Sequence, residues 1–182
     1  LPDIWSHYHP LIGLYDSTDS AVLECQLLQM KIAGVDGVIV DWYGIGPSAD
    51  YPSIHQATSA MFNAAGRLDM KFAVCFEDRS IAYMEQLKVH KPEQVRSHLT
   101  DTLQGMQKNW FSQPHYFRVG GRPLFLNFGP MHVRDAATWS AALGTVPDRP
   151  AFYGLHHLWK NAGGDGGFMW VHPGVWGGSP GG

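Results

Sequence analysis

Along the chain, helix-like and strand-like patterns take turns. Val22, Leu23, Leu27, Met30 and Ile32 recur at helical spacing. Asp19 is placed to cap that segment and Gly34 to end it. Residues 37–43 then form a short apolar run ending in Asp41, Trp42 and Tyr43. A run of that length without polar alternation marks a strand buried on both faces, as in a parallel sheet. A weaker helical pattern over 56–67 leads to a second such run, 71–76, which ends at Glu77 and Asp78. A short helix over 80–89 follows. Pro92 then suits the first turn of another helix, with Val95, Leu99, Leu103 and Met106 on one stripe. Gly120-Gly121 turns the chain into a strand over 123–128, a helix is expected over 134–143, and residues 151–156 and 167–172 read as two more strands. Residues 11–14 offer a sixth.

Helix and strand in alternation predict a parallel sheet with crossover helices. Two architectures use that pattern, a doubly wound sheet and a (β/α)8 barrel. No Gly-x-Gly-x-x-Gly follows a strand, so a dinucleotide-binding fold has no support. The strand ends favour the barrel. Four of the five strands close on a group that can do chemistry: Asp41, Glu77-Asp78, Asn127 and His156-His157. The fifth closes on His172. Barrel enzymes build their sites at that end of the strands. Length then limits the picture, because 182 residues fall short of the roughly 250 of a full barrel. The fold class expected is therefore α/β, a (β/α)8 TIM-barrel-like domain that is partial or reduced. Residues 1–175 make one domain and 176–182 a loose Gly-rich tail.

Composition narrows the partners. Charged residues are 16% and the net charge is −3, with no basic run, which argues against nucleic acid. No apolar run approaches the roughly 20 residues of a membrane helix. Cys25 and Cys75 make no zinc pattern and are read as free and buried. Aromatics reach 13%, which suits sugar stacking and suits a plain core equally.

Four groups of residues carry candidate chemistry. In Asp41-Trp42-Tyr43, the rings could stack on a sugar while Asp41 accepts from its hydroxyls. Alternatively Asp41 caps a turn and the rings pack. In Glu77-Asp78-Arg79, one carboxylate could serve as general acid or base while the other pairs with Arg79 or caps a helix. Asn127, His156 and Trp170 share only their predicted strand-end position and could contact a sugar. His7-x-His9, with His156 and His172, offers a metal-holding alternative, since residues two apart on a strand share a face. Its spacing is loose, and neither a metal nor a cofactor is called for.

The segment His9-Pro10-Leu11-Ile12-Gly13-Leu14-Tyr15-Asp16-Ser17, followed by Gly34-Val35-Asp36-Gly37-Val38-Ile39-Val40-Asp41-Trp42-Tyr43-Gly44, resembles the N-terminal part of glycoside hydrolases of the family 71/99-like group. Phe72 to Phe76 with Glu77-Asp78, and Gly166-Gly167-Phe168-Met169-Trp170, are similar to later strands of the same group. The resemblance implies a (β/α)8 barrel, cleavage of an α-linked glycan, a carbohydrate as partner, and action outside the cytoplasm or at the envelope. It points to Asp41, Trp42 and Glu77 as sugar-site residues; Tyr43 and His9 are further candidate substrate contacts. It also implies a catalytic Glu-x-x-Glu segment in the endo-α-mannosidase branch, and no such segment occurs here. The candidate acids and bases are thus Glu77, Asp41 and Asp78. A barrel short of its last strands leaves open edges, which a longer chain, a homo-oligomer or the chain's own loops would cover.

Overall fold

The computed structural model describes residues 10–170. Thirteen elements follow the alternation the sequence announces. Helix α1 is Ser20–Ile32, strand β1 Gly37–Trp42, α2 Tyr51–Arg67, β2 Lys71–Phe76 and α3 Arg79–Gln86. A 3-10 turn, Pro92–Gln94, opens α4, Val95–Met106, which closes in a π turn, Gln107–Phe111. Then come β3, Arg118–Val119, β4, Arg122–Asn127, α5, Ala136–Leu143, β5, Ala151–Leu155, and β6, Gly166–Phe168.

Local chemistry sets several of these boundaries. The Asp19 carboxylate accepts from the backbone N–H groups of Ala21 and Val22 at 2.8 and 3.3 Å, capping α1. Asp135 does the same for α5 through Thr138 at 2.8 Å. Helix α2 starts earlier than its apolar pattern suggests, because Pro52 pre-sets the first turn. Residues 11–14 form turns rather than a strand, and Leu11, Ile12 and Leu14 are exposed. Among the described residues nothing pairs with this segment as a strand. Gly120 and Gly121 carry positive φ and close a small hairpin that pairs β3 antiparallel to β4.

The strand order is β1-β2-β4-β5-β6, all parallel, with β3 off this path. Each new strand is added on the same side of the one before it. A doubly wound sheet reverses that order partway. Monotonic addition curls the sheet as a barrel wall curls. The sheet is not closed, and among the described residues β1 and β6 form its edges.

Register fixes which side chains face where. Asp41 lies opposite Cys75 and Trp42 opposite Phe76, while Phe76 lies opposite Asn127. Facing residues of neighbouring strands point to the same side, and the side alternates along each strand. The convex side takes Trp42, Phe76, Phe125 and Phe152, which pack under the helices with Trp110 and Trp139. Each such side chain, fully removed from water, stabilises the fold by about 2–3 kcal/mol. The concave side takes Ile39 and Asp41, Ala73 and Cys75, Leu124 and Leu126, and Tyr153 and Leu155. Cys75 is buried there as expected. Cys25 is exposed on α1, correcting the sequence reading, because α1 packs inward through Leu23 and Leu27 instead. Arg122 on β4 holds Asp165 at 2.8 Å, and that carboxylate accepts from Phe152 N at 2.9 Å. The pair ties β6 to the rest of the wall.

Candidate active site

The C-terminal mouth of the curled sheet brings two carboxylates together. Asp41 is the last concave-side residue of β1. Glu77 follows β2 and continues its ladder, its N–H donating to Trp42 O at 2.9 Å. Glu77 thus sits one strand over and two residues further along than Asp41, on the same face. From strand geometry that places the Cα atoms roughly 8 Å apart.

Electrostatics couple the two. Burial pushes the Glu77 carboxyl above its usual range, and the nearby Asp41 charge pushes it further, with Arg79 opposing. Burial raises Asp41 as well, with the neighbouring Tyr43 hydroxyl and Trp42 backbone N–H opposing that rise. The Tyr43 phenol is held up at about 12 by burial and by the charges of Glu77 and Asp41. Cys75, just below both carboxylates, is pushed up to about 12 by burial and by the same charges. A neighbouring pair of raised carboxyls is the arrangement acid–base catalysis needs.

Aromatic rings flank the pair. Tyr43 stacks on Tyr51 with centroids 5.3 Å apart and planes at 4°, and Tyr83 meets Tyr51 edge-on at 6.3 Å. Past β4, Phe128 stands edge-to-face with Trp170 at 4.8 Å, and Trp170 is 52% exposed. Phe128 N donates to Phe76 O at 2.8 Å, which sets this wall next to Glu77. Glycines shape the rim. Gly44 has φ +87°, and a Cβ there would stand 3.0 Å from the Phe76 ring.

The structure divides the residues picked out from sequence. Asp41, Tyr43 and Glu77 meet at the mouth, and Trp170 joins them on the far wall with Phe128. Trp42 does not. It is 1% exposed and wedged on the convex side against His55, Phe76 and Trp110, so its face is closed to a sugar. Asp78 points away from the mouth and is 0% exposed. Its carboxylate accepts three consecutive backbone N–H groups, Met131 at 2.9 Å and His132 and Val133 at 2.8 Å. It is an anchor for the loop after β4 and has no route to a substrate proton. Asn127 is also fully buried on the convex side, beside Asp78 and Gly129, rather than at the mouth. His156 is exposed on the turn after β5, packed on His157 at 4.8 Å. His9, His7 and His172 lie outside the described residues, as does the 176–182 tail. Among the described residues no three His, Cys, Asp or Glu side chains gather to hold a metal, and no helix is long and apolar enough to cross a membrane.

Phe128 and Tyr51 were missed in the sequence. Strand β4 is apolar on both faces, so its pattern carries no clue that Phe128, rather than Asn127, shares the side of Glu77. Only the register with β2 decides it. A separate cavity of about 200 Å³ lies at the opposite end of the strands, against Gly37, Ile39, Lys71, Ala73, Phe117 and Leu124. Its lining is mostly apolar, with Asp36 and Lys71 the charged residues on it, and it holds no pair of carboxylates.

Comparison with known proteins agrees with this architecture. No family model matches the chain, and no curated protein matches it. Among solved structures, it is similar to the GH99 endo-α-mannosidase from Bacteroides thetaiotaomicron in complex with bis-tris-propane. That likeness has a TM-score of 0.67 at 20% identity over 94% of this chain and 52% of that one. A second structure of the same enzyme gives a TM-score of 0.69 at 18% identity, over 93% and 49%. A glycoside hydrolase-like protein gives 0.62 at 12% identity, over 81% and 46%. At these identities the likeness establishes a glycoside hydrolase-like, TIM-barrel-like fold. The chain spans about half the length of the structures it matches.

Proposed function

We propose that this chain supplies the substrate-binding wall and an acid–base pair of a glycoside hydrolase-like barrel that cleaves an α-linked glycan. The observation that carries the reading is the placement of Asp41 and Glu77 on neighbouring strands, on one face, at the mouth, where the Asp41 charge helps raise Glu77. Glycoside hydrolysis uses two carboxylates flanking the scissile bond, one protonated and one ionised. Glu77, raised by burial and by the Asp41 charge, suits the proton donor to the leaving oxygen. Asp41, whose rise through burial is partly offset by the neighbouring Tyr43 hydroxyl and Trp42 N–H, suits the ionised partner that activates water or a substrate hydroxyl. Phe128 and Trp170 offer ring faces to the sugar's C–H surface, and Tyr43 offers a hydroxyl. The likeness to solved glycoside hydrolase structures supports a carbohydrate as the ligand.

A second reading is a barrel relative that binds carbohydrate without cleaving it, supported by the exposed Trp170 beside Phe128, a stacking surface that needs no acid. One experiment separates the two. The chain is incubated with α-mannans and α-glucans beside its Glu77→Gln and Asp41→Asn variants. Hydrolysis predicts sugar release that falls roughly 10²–10⁴-fold in either variant. Binding without release, with affinity alone altered in the variants, would replace the first reading with the second.

A further inference from the structure

Helix α3 and the loop after β4 both leave the mouth, and both end at one cleft. Asp78, fully buried, holds residues 131–133 through their three backbone N–H groups, which fixes the path of the loop. Near the far end of α3, Glu85 meets His132 of that loop at 3.1 Å. Around this pair the two segments join the starts of α4 and α5 to line a cleft of about 370 Å³. In a wall of parallel strands each crossover helix sets out from the end where its strand finishes, so these helix starts lie at the mouth end of the sheet. The eight residues of α3 span about 12 Å, and that length of helix separates the cleft from Glu77. Four further charged side chains line the cleft: Glu93 and Arg96 where α4 opens, and Arg134 and Asp135 where α5 opens. All four are exposed, and none of them forms an ion pair with another of the described residues. They stand around one opening without neutralising one another.

Charge balance selects the ligand. An anion drawn to Arg96 and Arg134 meets Glu93 and Asp135, and a cation drawn to the carboxylates meets the two guanidinium groups. A hydroxyl both donates and accepts, so a neutral polyhydroxyl ligand satisfies both kinds of group at once. Hydrogen bonds to charged groups are the strong ones, and here the two charged groups nearest α5 are partly fixed in place. Arg134 Nε donates to Met131 O at 2.9 Å, and Asp135 accepts from Thr138 N at 2.8 Å. Val95 and Val133 add an apolar floor for C–H surface. We propose that this cleft is a second binding site, for a neutral glycan, and that it holds one part of a chain whose other part lies at the mouth. The naming of a glycan, rather than another neutral polyol, rests on the carbohydrate reading of the mouth. The cleft itself rests on its own residues.

The full chain, labelled with ¹⁵N, is titrated by NMR with neutral α-linked manno- and gluco-oligosaccharides of increasing length. Backbone amides of Arg96 and Thr138 report on the cleft, and those of Tyr43 and Glu77 report on the mouth. Long oligosaccharides are expected to shift both sets and to bind more tightly than short ones. Arg96→Ala and Glu93→Gln, two exposed positions whose change leaves the fold intact, each weaken the long oligosaccharides roughly tenfold, the scale of a lost hydrogen bond to a charged group. The shortest sugars keep their affinity for the mouth in both variants. Oligouronates and oligoglucosamines of equal length need roughly tenfold more ligand to shift the cleft amides. Mouth shifts without cleft shifts overturn this inference alone, as do variants that bind every length like the parent. Tighter cleft binding by either charged series overturns it too. Cleft shifts beside a silent mouth sink the carbohydrate reading of the mouth alone, and silence at both places sinks both.

Discussion

Glu77 and Asp78 are adjacent carboxylates with opposite fates. One faces the concave side, half-buried at the mouth, with a raised titration. The other faces the convex side, fully buried, its oxygens accepting three backbone N–H groups. The same division separates Tyr43 from Trp42, and Phe128 from Asn127. Residues next to each other in sequence are committed to different regions because strand side chains alternate. The convex region is a packed aromatic layer that stabilises, and the concave mouth is a partly wet rim where charges sit close to each other. Packing and the candidate site occupy opposite faces of one sheet.

This comparison can be broken most sharply by its two tryptophans. Trp42→Ala opens a cavity beneath α2 and is expected to cost about 3–5 kcal/mol, read by chemical denaturation. Trp170→Ala, at the exposed rim, costs only about 0.5 kcal/mol. Equal losses would show that the two regions are not distinct. Next comes Asp78→Ala, which orphans the three N–H groups of the loop after β4 and costs at least about 3 kcal/mol. A denaturation midpoint matching the parent would remove Asp78 as an anchor. Glu77→Gln should move stability the other way, raising it by up to about 1 kcal/mol, because it relieves repulsion with Asp41.

The smallest expected effect is on pH. Asp41 and Glu77 titrate higher in the folded chain than in the unfolded one, so folding takes up protons between those values. Their contribution favours the fold at the acidic side and is lost as pH rises through the raised folded values. His98 runs against them. Burial, with help from His90, lowers it to about 4, so its contribution is lost as pH falls from the ordinary histidine range towards that value. Subtracting the stability curve of the Asp41→Asn, Glu77→Gln double variant from that of the parent isolates the carboxylate slope. A flat difference across the carboxylate range would mean that the pair is not coupled.

Much of the scaffold was legible. Asp19 and Gly34 bracket α1 as their capping chemistry requires, and 71–76 matched β2 to the residue. The placement of Asp41, Tyr43 and Glu77 at the mouth was legible from strand ends alone, where barrel sites are built. Helix α2 hid its first turn because Tyr51 to His55 breaks the apolar period, and only Pro52 signalled it. Strand β3 is two residues long and exists through its pairing with β4.

By itself, the sequence determined the alternation of helix and strand, the caps that bound the helices, and the carboxylates waiting at strand ends. Those are local properties, set by period, turn chemistry and chain order. The tertiary structure decided which of two adjacent residues reaches the mouth. Strands β2 and β4 are apolar on both faces, so their pattern is silent about direction. Only the register against β1, where Asp41 and Ile39 face one way and Trp42 the other, assigns Glu77 and Phe128 to the site and Asp78 and Asn127 to the core. Side-chain period fixes that two neighbours part, and pairing between distant strands fixes which one goes where.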